Sequence, residues 1–233
     1  MPRIIITGSE GLIGKSVTSF FESQDYHVIR CDLSLGHDLT EERFVRNFFK
    51  DNKAEYLLNL FAFNDHVSDT NITNNLFDIT ISSFEKYLNV NLTSLFSVCR
   101  EYARNNNEGA IVNVSSLYSS LSPDPTLYKA FPGDKKEKHV AYGVTKAGVE
   151  QLTRHLAVHL APDFRVNAVA PGGIGEASQP DHFVKRFVNK TPMNRMMKQE
   201  DLFGIFMYLC SNASIYTTGQ TFRINGGYGC TWR

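Results

Sequence analysis

The sequence carries no net charge: 24 Lys and Arg stand against 24 Asp and Glu, and the basic residues form no long run. A neutral chain without a basic stripe argues against nucleic acid and anionic membrane as partners. Long apolar runs are missing too. Ile4–Ile6 is only strand length, and no basic segment followed by a long apolar one opens the chain, so neither a signal peptide nor a membrane span is indicated. Cysteine is scarce. Cys31, Cys99, Cys210 and Cys230 are scattered without C-x-x-C spacing, which reads as reduced thiols in a cytoplasmic protein and offers no metal site. Triplets of the glycosylation type, Asn71-Ile72-Thr73 and Asn113-Val114-Ser115, carry little weight in that compartment.

What is present begins at the N-terminus. Residues 4–14, Ile-Ile-Ile-Thr-Gly-Ser-Glu-Gly-Leu-Ile-Gly, run an apolar strand directly into spaced glycines. Such a turn can simply join a strand to a helix. It also suits a dinucleotide pyrophosphate: Gly8 makes the tight turn, Gly11 admits the phosphates, and Gly14 lets helix and strand close on each other. A helix over about Leu12–Gln24 would then offer its free N–H groups and positive dipole end. The next strand, His27–Cys31, delivers Asp32 at 24 positions beyond Gly8. A carboxylate there accepts both hydroxyls of an adenosine ribose and repels a 2′-phosphate, which favours NAD over NADP. Strand alternation turns Arg30 away from that position.

The 233 residues suffice for one large α/β domain, 1–233. Thr40 is placed to cap a helix through about Lys50, and Asp38 and Leu39 lie where an adenine ring would rest. A strand at Tyr56–Leu60 precedes a polar stretch, Asn64–Asn75, read as exposed. A helix over about Ser82–Asn105 must bend around Asn89–Thr93, where polar residues break its apolar stripe. Strand Ala110–Val114 ends at Ser115-Ser116. The segment that follows, about 117–140, holds Pro123, Pro125, Pro132, Gly133 and four lysines, and forms a long excursion at a strand end, where substrate loops belong. Helix Ala141–Leu160 is stopped by Pro162. Strand Arg165–Ala170, the turn Pro171-Gly172-Gly173-Ile174, a short helix Asp181–Val188 within a lid over about 174–198, a helix Glu200–Cys210 and a strand Thr221–Asn225 complete the chain. This alternation predicts a single doubly wound, mostly parallel sheet of Rossmann type with helices on both faces.

Tyr142 and Lys146 stand four apart on one helix face. An exposed pair at that spacing is common and of trivial energy. A phenol with an ordinary pKa near ~10 is a poor base at neutral pH, but a nearby ammonium favours the phenolate. Tyr142 could then exchange a proton with an alcohol or carbonyl oxygen while hydride moves at the same carbon.

With these pieces together the chain resembles the short-chain dehydrogenase/reductase family along essentially its whole length. The matching stretches are Thr7–Gly14, Ile111–Ser116, Tyr142–Gly148, Arg165–Gly172, Thr218-Gly219-Gln220 and Asn225-Gly226-Gly227. The resemblance implies that Ser116 orients the substrate oxygen, that Tyr142 is the acid/base, and that Lys146 holds the nicotinamide ribose and tunes the tyrosine. It implies that Asn91 completes a proton relay through its backbone carbonyl, and that Pro171, Gly172 and Ile174 meet the nicotinamide amide. Ser9, Leu12, Ile13 and Asn59 join the cofactor-binding set. The chain departs from the family in several places. Its glycine spacing is that of larger members acting on nucleotide sugars, and Asn59-Leu60-Phe61-Ala62 replaces Asn-Asn-Ala-Gly with a bulky Phe61. Gly175-Glu176 stands where a threonine is usual, and 26 positions separate Ser116 from Tyr142, longer than the family norm.

The resemblance implies NAD-dependent interconversion of a secondary alcohol and ketone. The Asn, Asp, Ser and His of the substrate-side segments point to a polar, sugar-like substrate. Lys129, Lys135, Lys136 and Lys138 either meet an anionic group or are simply solvated. Among relatives the chain looks most like bacterial oxidoreductases of flagellin modification and surface-sugar biosynthesis. Two other readings remain: a compact nucleotide-sugar epimerase or dehydratase that recycles its NAD, and a catalytically silent NAD-binding regulator. The family likeness implies a homodimer or homotetramer, with Tyr228–Arg233 near an interface.

Overall fold

The computed structural model describes residues 1–64 and 74–230. Among the described residues six strands form one sheet: β1 (Arg3–Thr7), β2 (His27–Cys31), β3 (Tyr56–Asn59), β4 (Gly109–Val114), β5 (Phe164–Pro171) and β6 (Thr221–Ile224). Every pair is parallel, in the order β2-β1-β3-β4-β5-β6. Between β2 and helix α2 (Glu42–Asp51) lies only a short 3-10 turn, Leu33–Leu35, so no described segment pairs outside β2. The remaining helices are α1 (Gly14–Ser23), α3 (Ile81–Leu88), α4 (Ser94–Asn105), α5 (Val140–Leu160), α6 (Asp181–Asn189) and α7 (Phe203–Leu209).

Alternation along the strands builds two cores, one on each face of the sheet. Ile5, Leu57, Ile111 and Val166 point to one face, where Val45 and Phe49 of α2, Val98 and Tyr102 of α4, and Val149 and Leu156 of α5 cover them. Ile4, Ile6, Leu58, Val112 and Val169 point to the other, against Val17 and Phe21 of α1 and Phe206 and Leu209 of α7. The doubly wound sheet with helices on both faces is therefore what the periodicity predicts.

The bend expected near Asn89–Thr93 is a π-helical turn between α3 and α4, and Thr80 caps α3 by accepting from the Ser83 N–H. Thr40 differs from expectation. Its amide and hydroxyl both donate to Asp38 Oδ1, at 2.9 and 2.7 Å, and the residue that stands at the start of α2 is Glu41, one position later, without a side-chain cap. All four cysteines are free, with Cys31, Cys99 and Cys210 buried and Cys230 exposed. Among the described residues no helix is long and apolar enough to cross a membrane. Asn71-Ile72-Thr73, most of the polar stretch Asn64–Asn75, and Thr231–Arg233 lie outside the described residues.

The order of the strands fixes where a ligand belongs. The chain leaves β1 toward β2 on one side and returns past it to β3 on the other, and the crevice at such a reversal, outside the carboxyl ends of the strands, is the binding position of open parallel sheets.

Candidate active site

A cleft of about 780 Å³ opens at that point. Its floor begins at the turn after β1. Gly8 has φ +73, a conformation L side chains rarely adopt, and a Cβ there would lie 2.5 Å from the Phe61 amide nitrogen. A Cβ on Gly14 would lie 1.9 Å from the Gly8 carbonyl oxygen. Gly11 differs, because the nearest atom to its added Cβ is 3.4 Å away. The start of α1 has no side-chain cap and no acidic residue in its first turn, so its positive end is not neutralised by the chain itself. An uncapped helix start behind a glycine cradle fits the pyrophosphate of a dinucleotide.

Asp32 lines the cleft beside this turn. Burial alone would raise its pKa, but the amide and hydroxyl of Ser34 and the amide of Glu10 donate to the carboxylate and hold it below the usual value. Arg30 is turned away as alternation predicts, donating to Glu22 at 2.9 Å and Glu10 at 3.3 Å. Asp38 and the buried Leu39 also line the cleft, with His37 stacked on Phe44 at 5.2 Å beside them. Sequence reasoning missed His37, since a lone histidine in a turn carries no periodic signal.

Farther along, Ser116, Tyr142, Lys146, Pro171, Gly172 and Ile174 share the same cleft with Gly8, Gly11, Leu12, Ile13 and Gly14. The helical spacing of Tyr142 and Lys146 puts the ammonium 5.9 Å from the phenol ring centre. Lys146 is 3% exposed, and its Nζ donates to the Val114 carbonyl at 2.8 Å. Burial pushes its pKa down to about 8. The expected lowering of the phenol is not what the protein alone produces. Burial raises Tyr142, and only the Ser116 hydroxyl opposes it. The reason is geometric: the lysine charge is directed at a backbone carbonyl, and low-dielectric surroundings penalise a phenolate more than Ser116 relieves it. A further ammonium, Lys138, stands 4.4 Å from the centre of the same ring.

The depressed Lys146 carries a stability consequence. Between about pH 8 and its ordinary 10.5 the unfolded lysine binds a proton that the folded one has released, so this group's contribution to stability rises with pH across that window. Denaturation of the wild type and Lys146→Met at pH 7 and pH 10 is expected to show the wild type gaining on the variant at the higher pH. A constant difference would refute the buried-charge account.

Three predicted residues lie off the cleft wall. Asn59 is 2% exposed and sits in a polar ladder under the floor, accepting from Thr7 Oγ1 at 2.9 Å and donating to Asn113 Oδ1 at 2.9 Å, while Asn113 donates to Thr153. Strand register brings these amides side by side, and they satisfy one another inside the core. Ser9 is buried, with its hydroxyl donating to Glu10 at 3.1 Å. Asn91, in the π-helical turn, clamps the Phe63 backbone, accepting from its N–H at 2.6 Å and donating to its carbonyl at 3.0 Å; it also donates to Thr145 of α5.

The far wall comes from the long segment before α5 and from residues 174–198. Tyr118, Tyr128, Lys136, Lys138, His182 and Phe183 line it. The two segments are joined: Arg186 of α6 donates to the carbonyls of Thr126 and Lys129, each at 2.5 Å, and Lys190 pairs with Asp124 at 2.9 Å. Glu150 was also missed. It extends the Tyr142–Lys146 spacing by another four residues, and it accepts from Ser115, Ser119 and Arg223 behind the cleft. The helical repeat itself was the available signal.

A family model described as enoyl-(acyl carrier protein) reductase matches residues 4–229. An uncharacterized oxidoreductase of Mycobacterium tuberculosis is 33% identical over 160 residues, 65% of this chain; the matched part spans 58% of that protein, little more than half its length. The 3-oxoacyl-[acyl-carrier-protein] reductase of Aquifex aeolicus is 30% identical over 237 residues, covering 96% of this chain and 86% of that one. Among solved structures, a short chain dehydrogenase of Leptospira borgpetersenii with bound NAD+ superimposes with a TM-score of 0.83 at 25% identity, covering 97% and 92% of the two chains.

Proposed function

The chain belongs to the short-chain dehydrogenase/reductase superfamily, and from that premise we propose that it is an NAD-dependent oxidoreductase interconverting a secondary alcohol and a ketone on a polar, sugar-like molecule. The observation that carries this reading is one cleft joining the glycine turn to Ser116, Tyr142 and Lys146. When bound, the dinucleotide supplies the acceptor or donor of hydride. The protein's own part is to bind, orient and move a proton. Gly8, Gly11 and the start of α1 hold the pyrophosphate, and Asp32 accepts the ribose hydroxyls. Ser116 donates to the substrate oxygen, and Tyr142 Oη takes the proton from the alcohol or returns it to the ketone. Lys146, kept in place by the Val114 carbonyl, holds the second ribose. Asn91 fixes the Phe63 backbone against α5 and so sets the edge of the cleft.

Lys136, Lys138 and His182 on the far wall support a hydrophilic substrate. Phe96 and Val158, exposed on α4 and α5, support a homodimer or homotetramer, which sizing in solution would establish. The reading is tested by incubating the protein with NAD or NADP and a panel of polar alcohols and their ketones. A change in nicotinamide absorbance with matching product mass is the expected result; product without net absorbance change would indicate an epimerase instead.

Cofactor preference rests on Asp32. Asp32→Ala removes both the ribose acceptor and the charge that repels a 2′-phosphate, so the kcat/KM ratio of NAD to NADP is expected to fall by about tenfold or more, one lost charge-assisted bond being worth ~1.5–3 kcal/mol. An unchanged ratio would place the ribose elsewhere.

A further inference from the structure

Two more phenols line the cleft that holds Tyr142, and both come from the long segment before α5. The hydroxyl oxygens of Tyr118 and Tyr128 are 2.8 Å apart, both residues line the cleft, and each is close enough to Tyr142 to feel its charge. Their positions are fixed from behind. Tyr128 is 6% exposed and packs on Phe183 of α6 at 5.4 Å, within a small core that includes Leu117, Leu127 and Phe187. The Tyr118 amide donates to Ser116 Oγ at 3.2 Å, so this phenol is tied to the serine of the site. Burial raises both hydroxyls above the ordinary tyrosine value, and both therefore keep their protons at neutral pH.

Counting protons gives the chemistry. Two hydroxyls carry two O–H donors, and the bond between them uses one. Among the described residues neither phenol has another hydrogen-bond partner. One donor and the spare lone pairs of two oxygens are therefore left at the cleft wall. A carboxylate or phosphate only accepts, and would meet one donor among several lone pairs. A hydroxyl both donates and accepts, and satisfies the pair.

We propose that Tyr118 and Tyr128 form a subsite for a second hydroxyl of the substrate, so that the molecule oxidised is a vicinal diol or longer polyol and the molecule reduced is the matching hydroxyketone. The inference rests on the alcohol–ketone reading above and names its substrate class. The segment before α5 thus selects hydroxylated substrates through one shared pair of phenols.

The test compares cyclohexane-1,2-diol and a pentitol with cyclohexanol and with 3-hydroxybutyrate, using the full chain with NAD and NADP. Wild type is expected to prefer the diol over cyclohexanol by about tenfold in kcat/KM, one net hydrogen bond, and over the hydroxy acid as well. Tyr128 donates to Tyr118, so the free O–H is that of Tyr118 and Tyr128→Phe alone should keep part of the preference; in the double Tyr118→Phe, Tyr128→Phe protein, which lacks both hydroxyls, the ratio of diol to cyclohexanol should fall toward one. A wild type that oxidises cyclohexanol without preferring the diol, or prefers the hydroxy acid, overturns the subsite and leaves the oxidoreductase reading standing. A ratio unchanged in the double variant at wild-type melting temperature also overturns it. If a variant does not fold, the wild-type preference decides. No turnover of any of the four alcohols or their ketones would remove both readings.

Discussion

Tyr142→Phe is expected to lower turnover of every alcohol and ketone by about 10²–10⁴-fold while the protein stays folded, the loss being that of one positioned general acid/base. The substitution keeps the ring beside Lys138 and Lys146 and deletes only the hydroxyl. Neither Lys146 nor the two neighbouring phenols are suited to replace it. The Lys146 ammonium is committed to the Val114 carbonyl, and the hydroxyls of Tyr118 and Tyr128 are raised by burial and bonded to each other. Sign and pH follow from the same environment. Oxidation of an alcohol needs the phenolate, and burial holds Tyr142 above its ordinary value, so kcat/KM for oxidation should climb with pH through the alkaline range. Reduction of a ketone needs the neutral phenol and should decline over that range. Initial rates in both directions, with wild type and variant across pH, would read both effects. Wild-type rates in the variant would exclude Tyr142 as the proton carrier.

The second large effect is expected at Gly14, where two rules disagree. Alanine is the better helix former by roughly 1 kcal/mol, so Gly14→Ala at the start of α1 would stabilise the protein if propensity decided. The added methyl, however, would stand 1.9 Å from the Gly8 carbonyl oxygen and 2.7 Å from the Ser9 carbonyl carbon. Both are backbone atoms of the turn itself, and neither can rotate aside. Either α1 leaves β1 or the glycine turn opens, and overpacking of this kind costs about 3 kcal/mol. Dinucleotide binding should vanish with it. Gly204→Ala in α7 is the control, because nothing lies within 4 Å of its added Cβ; there propensity should prevail and stability rise by about 0.5–1 kcal/mol. Denaturant titration and binding of NAD measured on both variants would separate the two rules. If Gly14→Ala behaved like Gly204→Ala, the close approach of helix and strand would be wrong.

Local spacing made much of the site legible. The strand that ends in Gly8, Gly11 and Gly14, the carboxylate after β2, and the four-residue step from Tyr142 to Lys146 each place groups by covalent distance along one element. The interruption at Asn89–Thr93 was visible for the same reason, since polar residues there break a 3.6-residue stripe. Asn59 shows where such reasoning stops. Its neighbours Thr7 and Asn113 are each more than fifty positions away and meet it only through strand register, so nothing nearby in sequence marks it as an interior residue. The glycine turn likewise does not reveal that Ser9 is buried.

Hydropathy period, glycine position and helical spacing determined by themselves the order of elements, both covered faces of the sheet, and which residues stand at the carboxyl ends of the strands. These follow from backbone geometry, which each short stretch of sequence imposes on itself. The charge state of Tyr142 and Lys146, the ladder that withdraws Asn59, and the joining of the long segment to α6 were decided only in the folded chain. They depend on burial and on contacts between residues far apart in sequence, and solvent exclusion exists only once the layers have closed.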